Sequence, residues 1–140
     1  MNRRIFLLCA VMVALLAASA QKKQASDPCE GNTQSELNAC AAGEFKRADA
    51  ELNRVYHQLL KTVESDKLAT TKIKWAEQTW IVYRDAYLEA MYPAEDKQAN
   101  YGSIYPMEYA ELMTKLTQEQ TAALKELLRA HSAEGASPGQ

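Results

Sequence analysis

Asp49-Ala50-Glu51-Leu52-Asn53-Arg54-Val55-Tyr56 is the stretch that decides the fold, because it carries two stripes of one helix. Asp49, Asn53 and Tyr56 follow each other at i, i+4 and i+7, which places them on a common polar stripe. The neighbouring stripe is apolar and recurs every three or four residues: Ala48, Leu52, Val55 and Leu59. An apolar stripe with this period predicts a helix that packs against other helices.

A second stretch, Trp80-Ile81-Val82-Tyr83-Arg84-Asp85, offers a partner for that polar stripe. A guanidinium group has five donors in a planar fork, so we expect Arg84 to contact Asp49 or Asn53. The alternative is a polar edge that is solvated on the helix surface.

The apolar pattern extends in both directions and predicts a first helix over residues 33–64. Thr33 and Glu36 form a capping-box pattern at its start. The expected core positions of this helix are Leu37, Ala41, Phe45, Ala48, Leu52, Val55, Leu59 and Val63.

A second helix is predicted over residues 67–91, after a cap and turn at Ser65-Asp66 and before Pro93. We expect both tryptophans of this helix to lie in the core rather than in a ligand-binding cage. The predicted core face comprises Leu68, Trp75, Thr79, Val82, Ala86 and Ala90, widened by Trp80, Tyr83 and Tyr87.

Residues 93–106 are predicted to be irregular, and long loops in small domains often carry function. Tyrosines concentrate in and around this segment, and a tyrosine ring serves recognition well because it joins a large apolar face to a polar tip. The candidate partner-binding residues are Tyr92, Tyr101, Tyr105 and Tyr109. The alternative is that the loop only covers the end of the bundle.

A third helix is predicted over residues 107–131, followed by a disordered tail at 132–140. Its repeating positions include Tyr109, Leu112, Met113, Leu116, Leu124 and Leu127. No stretch alternates with period two for long, so the sequence predicts an all-α domain over 29–131, a small bundle of three main helices.

The first 20 residues have the pattern of a secretory signal peptide: basic Arg3 and Arg4, a short apolar run, and a small-residue end. Residues 21–28 follow as a predicted flexible leader. We therefore expect a periplasmic or secreted protein without a membrane anchor after cleavage. Removal of 1–20 would leave 14 basic and 18 acidic residues, a net charge of −4, which disfavours nucleic acid and weakly favours a cationic partner.

Two cysteines, Cys29 and Cys40, remain after that cleavage, and an exported chain with two cysteines most simply forms one disulfide. The rival interpretation is a metal or redox site. It is disfavoured because the chain has no C-x-x-C motif and because His57 and His131 are far away in sequence. We expect no cofactor.

The two motif stretches resemble the signatures of the LprI N-terminal domain family of exported bacterial proteins, a family named for inhibition of lysozyme. The matching residues are Asp49, Leu52, Asn53 and Tyr56 in the first stretch, and Trp80, Arg84 and Asp85 in the second. The resemblance covers about residues 28–128 and implies a helical, exported protein, with these motif residues in structural roles.

The chain departs from the pattern of that family at four places. Glu77 stands where members often have glutamine, and Gln120 where an arginine is usual. Leu88 and Leu112 stand where members often have two cysteines. If those cysteines form a disulfide, the Cα atoms of Leu88 and Leu112 should lie within about 7 Å of each other.

Three functions are compatible with these observations. The first is a periplasmic binding protein that inhibits a lysozyme-type glycan hydrolase by steric occlusion. The second is an envelope-stress or immunity protein that binds another cell-wall enzyme or a toxin. The third, an enzyme that uses Asp49 and Glu77 as paired carboxylates, is the least favoured, because the chain has no nucleophile with a nearby base, no metal-ligand spacing and no phosphate loop.

Overall fold

The computed structural model describes Cys29, Gly31 and residues 33–134 of the chain. This part of the chain contains no β-strand, so the predicted all-α class is confirmed for it. Its helices are α1 (Gln34–Thr62), α2 (Lys67–Met91), α3 (Lys97–Tyr101) and α4 (Tyr105–Glu134), with a 3₁₀ turn at Gly102–Ile104. The predicted signal peptide and the leader at 21–28 lie outside the described residues. Residues 132–134, assigned above to the tail, continue α4, and 135–140 also lie outside the described residues.

Side chains at the ends of α1 and α2 satisfy backbone donors that a helix leaves unpaired. Thr33 and Glu36 form the predicted capping box, since the Glu36 N–H donates to Thr33 Oγ1 at 3.2 Å and the Thr33 N–H donates to Glu36 Oε2 at 3.0 Å. Asp66 Oδ1 accepts from the N–H groups of Leu68 and Ala69, both at 2.9 Å. Both predicted caps are confirmed.

The three long helices form a bundle in which α2 runs antiparallel to α1 and α4. Asn38, near the start of α1, donates to the Ser103 carbonyl just before α4, and Glu51 binds Lys125 further along both helices. Helices α1 and α4 therefore run in the same direction. Glu77 of α2 meets Gln120 of α4, while Leu88, later in α2, packs with residues that come earlier in α4.

The core consists of two apolar clusters along the bundle. One cluster contains Leu52, Val55, Leu59, Val63, Ile73 and Leu124, with Tyr56, Leu60, Ala69, Trp80 and Leu128 packed against it. The other contains Leu88, Met113 and Leu116, with Phe45, Tyr109 and Leu112 packed against it. All the predicted core positions of α1 are buried or half-buried.

The face that α2 turns to the core differs from the predicted one. Ile73 and Leu88 are buried and Trp80 packs against the first cluster, whereas Trp75 is 64% exposed and Val82 is 69% exposed. The predicted face, including Leu68, Thr79, Ala86 and Ala90, points to solvent instead. The prediction was wrong because the true core stripe includes Glu77 and a half-buried Arg84, which interrupt its apolar pattern.

The segment between α2 and α4 is mostly helical, which corrects the prediction of an irregular loop at 93–106. Asp96 caps α3 by accepting from the Ala99 N–H at 2.9 Å. Gly102 then turns the chain with φ of 70°, a backbone conformation that glycine adopts without the steric cost of a side chain. The helix that follows begins at Tyr105, two residues before the predicted start.

Cys29 and Cys40 form the predicted disulfide, with their Cα atoms 5.4 Å apart. The bond holds the segment before α1 against the first turns of that helix. The approach is close at Gly31, where a Cβ atom would lie 3.0 Å from the Cβ of Glu36. Glycine therefore fits a position where the backbone of the returning segment nearly touches the helix.

Candidate functional site

A polar contact between α2 and α4 lies between the two apolar clusters. Gln120 Nε2 donates to Glu77 Oε2 at 2.7 Å, and Glu77 is only 6% exposed. Ile73 and Leu88, which precede and follow Glu77 on α2, belong to different clusters. The amide satisfies one carboxylate oxygen, as a buried acid requires.

The environment of Glu77 favours its neutral form. Burial raises the pKa of the Glu77 carboxyl, and the hydrogen bond from Gln120 and the positive charge of Arg84 oppose this rise. The charge of Glu77 in turn contributes to the raised pKa of Tyr56 on α1, although burial of that phenol is the larger cause. Groups from all three long helices therefore surround the carboxyl.

The raised pKa of Glu77 predicts how folding stability depends on pH. Its proton is held more tightly in the folded protein than in the unfolded chain, so the contribution of Glu77 to stability is fully present below its ordinary pKa of 4.5 and falls as the pH rises through the folded value. We expect Glu77→Gln to lose less stability than the natural protein as the pH rises above 4.5, since the amide does not ionise. Thermal unfolding followed by circular dichroism measures this difference. Glu119→Gln, at an exposed position of α4, is the control, and a pH profile of Glu77→Gln parallel to that of the natural protein would contradict the assignment.

Arg84 does not contact Asp49 or Asn53, which corrects the prediction made for it. Its Nε and Nη2 donate to Asp85 Oδ1 at 2.8 and 2.7 Å, and its guanidinium lies over the Trp80 ring at 5.2 Å from the ring centroid. The indole and the adjacent carboxylate of α2 hold the half-buried cation, and α1 contributes no hydrogen bond to it among the described residues.

The polar stripe of α1 is satisfied within α1 itself. Asn53 Nδ2 donates to the Asp49 carbonyl at 2.9 Å and to Asp49 Oδ2 at 3.1 Å. Leu52 is buried in the first cluster and Tyr56 packs against it. Glu77 and Asp49, the pair required by the enzyme alternative, thus bind different partners.

The four tyrosines expected to bind a partner come together at one end of the bundle, and we call this group the tyrosine end. The Tyr92 ring meets the rings of Tyr101 and Tyr105 edge to face, with centroids 5.3 and 5.1 Å apart. The rings of Tyr101 and Tyr105 stack at 5.8 Å, and Tyr109 lies 5.6 Å from Tyr105. All four side chains are half-buried, so each ring packs against its neighbours and keeps part of its surface in solvent.

Lys97 binds the backbone at the tyrosine end. Lys97 Nζ donates to Glu89 Oε2 at 2.7 Å and to the Tyr92 carbonyl. The Tyr101 hydroxyl accepts from the Ala94 N–H at 3.1 Å. These bonds fix the segment between α2 and α3 against α2 and hold the Tyr92 ring in the group.

Carboxylates surround the tyrosine end. Burial raises the pKa of Tyr92, and the negative charges of Glu108 and Glu111 raise it further. Burial likewise raises the pKa of Tyr109, with a further contribution from Asp85 that Arg84 opposes. Residues 85–111 contain six acidic residues and one lysine, so this end of the bundle is strongly acidic.

Comparison with known proteins assigns the chain to a family. The model of the family described as lysozyme inhibitor LprI matches residues 16–124. The chain belongs to the LprI family. The description of this family names inhibition of lysozyme. No described helix of this member is long and apolar enough to cross a membrane.

A curated relative of this LprI protein is an uncharacterized protein, R02472, of Rhizobium meliloti (strain 1021). The two are 32% identical over 123 residues, which cover 79% of this chain and 86% of the relative. No solved structure matches the chain.

The structure places the four positions at which the chain departs from the expected motif pattern. Glu77 and Gln120 are hydrogen-bonded to each other. Leu88 is buried in the second apolar cluster and Leu112 packs against that cluster. The separation of at most about 7 Å between the Cα atoms of these two leucines stays a prediction.

Two grooves lie elsewhere on the bundle. The groove between α1 and α4 has a volume of about 400 Å³, and its charged groups bind each other: Arg47 with Glu44, and Lys125 with Glu51 at 2.8 Å. Hydrogen bonds from Arg54 and Lys125 lower the pKa of Glu51 to about 2. The second groove, about 320 Å³, is mainly apolar and is lined by Ala69, Lys72, Ile73, Ala76, Leu127 and His131. Neither groove contains Glu77 or Asp49, and no metal-binding cluster occurs in the described part of the chain.

Sequence reasoning found the tyrosine end but missed the contact between Glu77 and Gln120. Both residues were recognised as departures from the family pattern, and their joint occurrence was the available signal. It also missed the exposed apolar face of α2, because apolar residues at helical spacing were assigned to the core.

Proposed function

We propose that this LprI protein binds a lysozyme-type glycan hydrolase through the tyrosine end and inhibits it by covering its substrate cleft. The observation that carries the proposal is the group of four packed, half-buried tyrosine rings surrounded by carboxylates. Packed aromatic side chains lose little conformational freedom on binding, which makes them efficient contact residues.

The distribution of acidic and basic residues along the bundle supports a cationic partner for the tyrosine end. Acidic residues crowd residues 85–111, whereas residues 61–74, near the other end of the bundle, contain four lysines and two acidic residues. A cationic hydrolase would be attracted to the tyrosine end, which speeds association and orients the encounter. The surface has apolar contact area as well, since Met91 is 50% exposed and Ile104 is 41% exposed nearby.

Inhibition of this kind needs no chemistry on the LprI protein. The end of a helical bundle is convex, and a convex surface seated over a substrate cleft excludes the glycan by its volume. The half-buried tyrosine rings supply affinity and the surrounding carboxylates supply orientation.

A charge-reversal experiment tests the surface directly. Glu111 is exposed on α4 and its charge acts on Tyr92, so Glu111→Lys should weaken inhibition about tenfold or more, because it places a cation where a cationic enzyme must approach. Glu119→Lys makes the same change at another exposed position of α4, away from the tyrosines, and should change inhibition by less than about twofold. Inhibition constants from a cell-wall lysis assay, at low and high salt, give the comparison.

Truncation of a ring tests the aromatic part of the proposal. Tyr105 contacts the rings of Tyr92, Tyr101 and Tyr109, so Tyr105→Ala should weaken inhibition at least about tenfold. Tyr105→Phe keeps the ring, so its inhibition constant should be close to that of the natural protein. Circular dichroism verifies that both variants are folded.

Absence of inhibition by the natural protein at high molar excess, against several lysozyme classes, would exclude this function. Capture from periplasmic extract would then test the alternative of another cell-wall enzyme or a toxin.

A further inference from the structure

An apolar stripe runs along the outer face of α2, away from the core. Leu68, Trp75 and Val82 follow each other at intervals of seven residues, and they are 69%, 64% and 69% exposed. Seven of the nine large hydrophobic side chains that are exposed in the described part of the chain belong to α2. Residues seven positions apart lie on one face of a helix. Apolar residues repeat at this interval where two helices pair in a coiled coil.

The exposed charged side chains of α2 are divided between its two ends, apart from the half-buried Arg84 and the buried Glu77. Lys67, Lys72 and Lys74 lie in the first third of the helix, whereas Asp85 and Glu89 lie in the last third. Lys72, Asp85 and Glu89 are exposed, although Asp85 also binds Arg84 and Glu89 also binds Lys97. A second α2 laid antiparallel would place lysines against carboxylates, whereas a parallel one would place like charges together.

We propose that the stripe of Leu68, Trp75 and Val82 is the interface of a homodimer, in which the α2 helices of two copies pair antiparallel. A dimer of this kind has a two-fold axis, so each contact occurs twice. With the axis between Gln78 and Thr79, Trp75 of one copy lies opposite Val82 of the other, and Lys72 lies opposite Asp85. The large indole thus meets the smaller valine, Lys72 meets Asp85, and Leu68 at the end of the stripe lies opposite Glu89.

The size of the stripe sets the strength of the dimer. Helix α2 has 25 residues and is therefore about 37 Å long. A single helix face of this length and about 10 Å width buries roughly 700–800 Å² in total, below the usual range for stable complexes. We therefore expect a reversible dimer with a dissociation constant in the micromolar range.

The dimer leaves the surface of the proposed function free. The tyrosine end follows the C-terminus of α2, and antiparallel pairing places the two C-termini at opposite ends of the dimer. Each copy would then present its tyrosine end outward.

Sedimentation velocity of the purified protein over a range of concentrations tests the dimer. The natural protein should shift from monomer to dimer in the micromolar range. Val82→Glu should raise the dissociation constant at least about tenfold, because it places a charge in the apolar seam. Ile104→Ser also removes an exposed apolar side chain, but away from α2, and should dimerise like the natural protein.

Introduced cysteines test the direction of the pairing. Thr79→Cys places the two thiols next to the axis, so mild oxidation should link the copies. Leu68→Cys places its thiols about 31 Å apart in an antiparallel pair and next to each other in a parallel one, so it should not link them. Mass spectrometry verifies that Cys29 and Cys40 remain paired.

Four results would overturn the proposal: a monomer at every concentration, unchanged dimerisation of Val82→Glu, cross-linking through Leu68→Cys, or no cross-linking through Thr79→Cys. A protein that is monomeric throughout and whose Val82→Glu variant loses hydrolase binding would assign the stripe to that enzyme and also exclude the homodimer.

Discussion

Leu59→Ala is expected to lower the free energy of unfolding by about 2–5 kcal/mol, which is the range for truncating a fully buried leucine. Leu59 is 0% exposed and lies in the first apolar cluster with residues from all three long helices. One methine and two methyl carbons are lost from a site whose neighbours are held by rigid helices. The cavity cannot close completely, so the loss of packing adds to the loss of hydrophobic burial.

Leu68→Ala is the matched control for this prediction. It makes the same chemical change on α2, at a side chain that is 69% exposed, and should cost no more than about 0.5 kcal/mol. Urea unfolding followed by circular dichroism gives both values, at protein concentrations below the micromolar range so that association through α2 does not contribute. A loss below about 1 kcal/mol for Leu59→Ala would show that the assigned core does not support the bundle.

Removal of the disulfide should have the second large effect. The bond between Cys29 and Cys40 closes a loop with a sequence separation of 11 residues, and the chain-entropy model assigns about 3 kcal/mol to a loop of this length. The double variant Cys29→Ser/Cys40→Ser should therefore unfold at a clearly lower urea concentration. The segment around Gly31 should also lose its contact with Glu36 and Leu37, because the covalent bond holds it there.

Two observations check the disulfide prediction. Mass spectrometry of the unreduced protein should show two hydrogens fewer than the reduced chain. The reduced natural protein should unfold at the same urea concentration as the double serine variant, because both lack the same cross-link. An unfolding midpoint that neither change moves would mean that the bond does not contribute to folding.

Helix α1 could be predicted from sequence almost to the residue. Its capping box is a local contact between Thr33 and Glu36, and its apolar stripe is interrupted by no buried charge. Local hydrogen bonds and helical period are encoded within a few neighbouring residues, so no knowledge of the partner helices is needed. The predicted range of 33–64 and the observed Gln34–Thr62 differ by one and two residues at the ends.

The orientation of α2 could not be predicted in this way. Two stripes of this helix contain apolar residues, and the more apolar one, with Leu68, Trp75 and Val82, faces solvent. The core stripe contains Glu77, whose buried carboxyl group accepts a hydrogen bond from Gln120 of α4. That partner lies 43 positions away in sequence, so the pattern of α2 alone does not indicate that this stripe is inside.

The candidate site, too, could be predicted from the sequence only in part. The abundance of tyrosine near the end of α2 was visible in the sequence, and the structure brings Tyr92, Tyr101, Tyr105 and Tyr109 together there. The partner of Arg84 was not predictable, because charged side chains can pair locally or between helices. Arg84 binds the adjacent Asp85 and lies over Trp80, and Asp49 binds Asn53 within α1.

The sequence by itself determined the helical class, the helix starts at Thr33 and Asp66, the pairing of Cys29 with Cys40 and the membership of the LprI family. These features depend on helical period, local side-chain contacts and short motifs. Only the tertiary structure decided that Glu77 is buried and that Trp75 is exposed. Burial depends on where the other helices lie, and a carboxylate can enter the core only where a donor from another helix meets it.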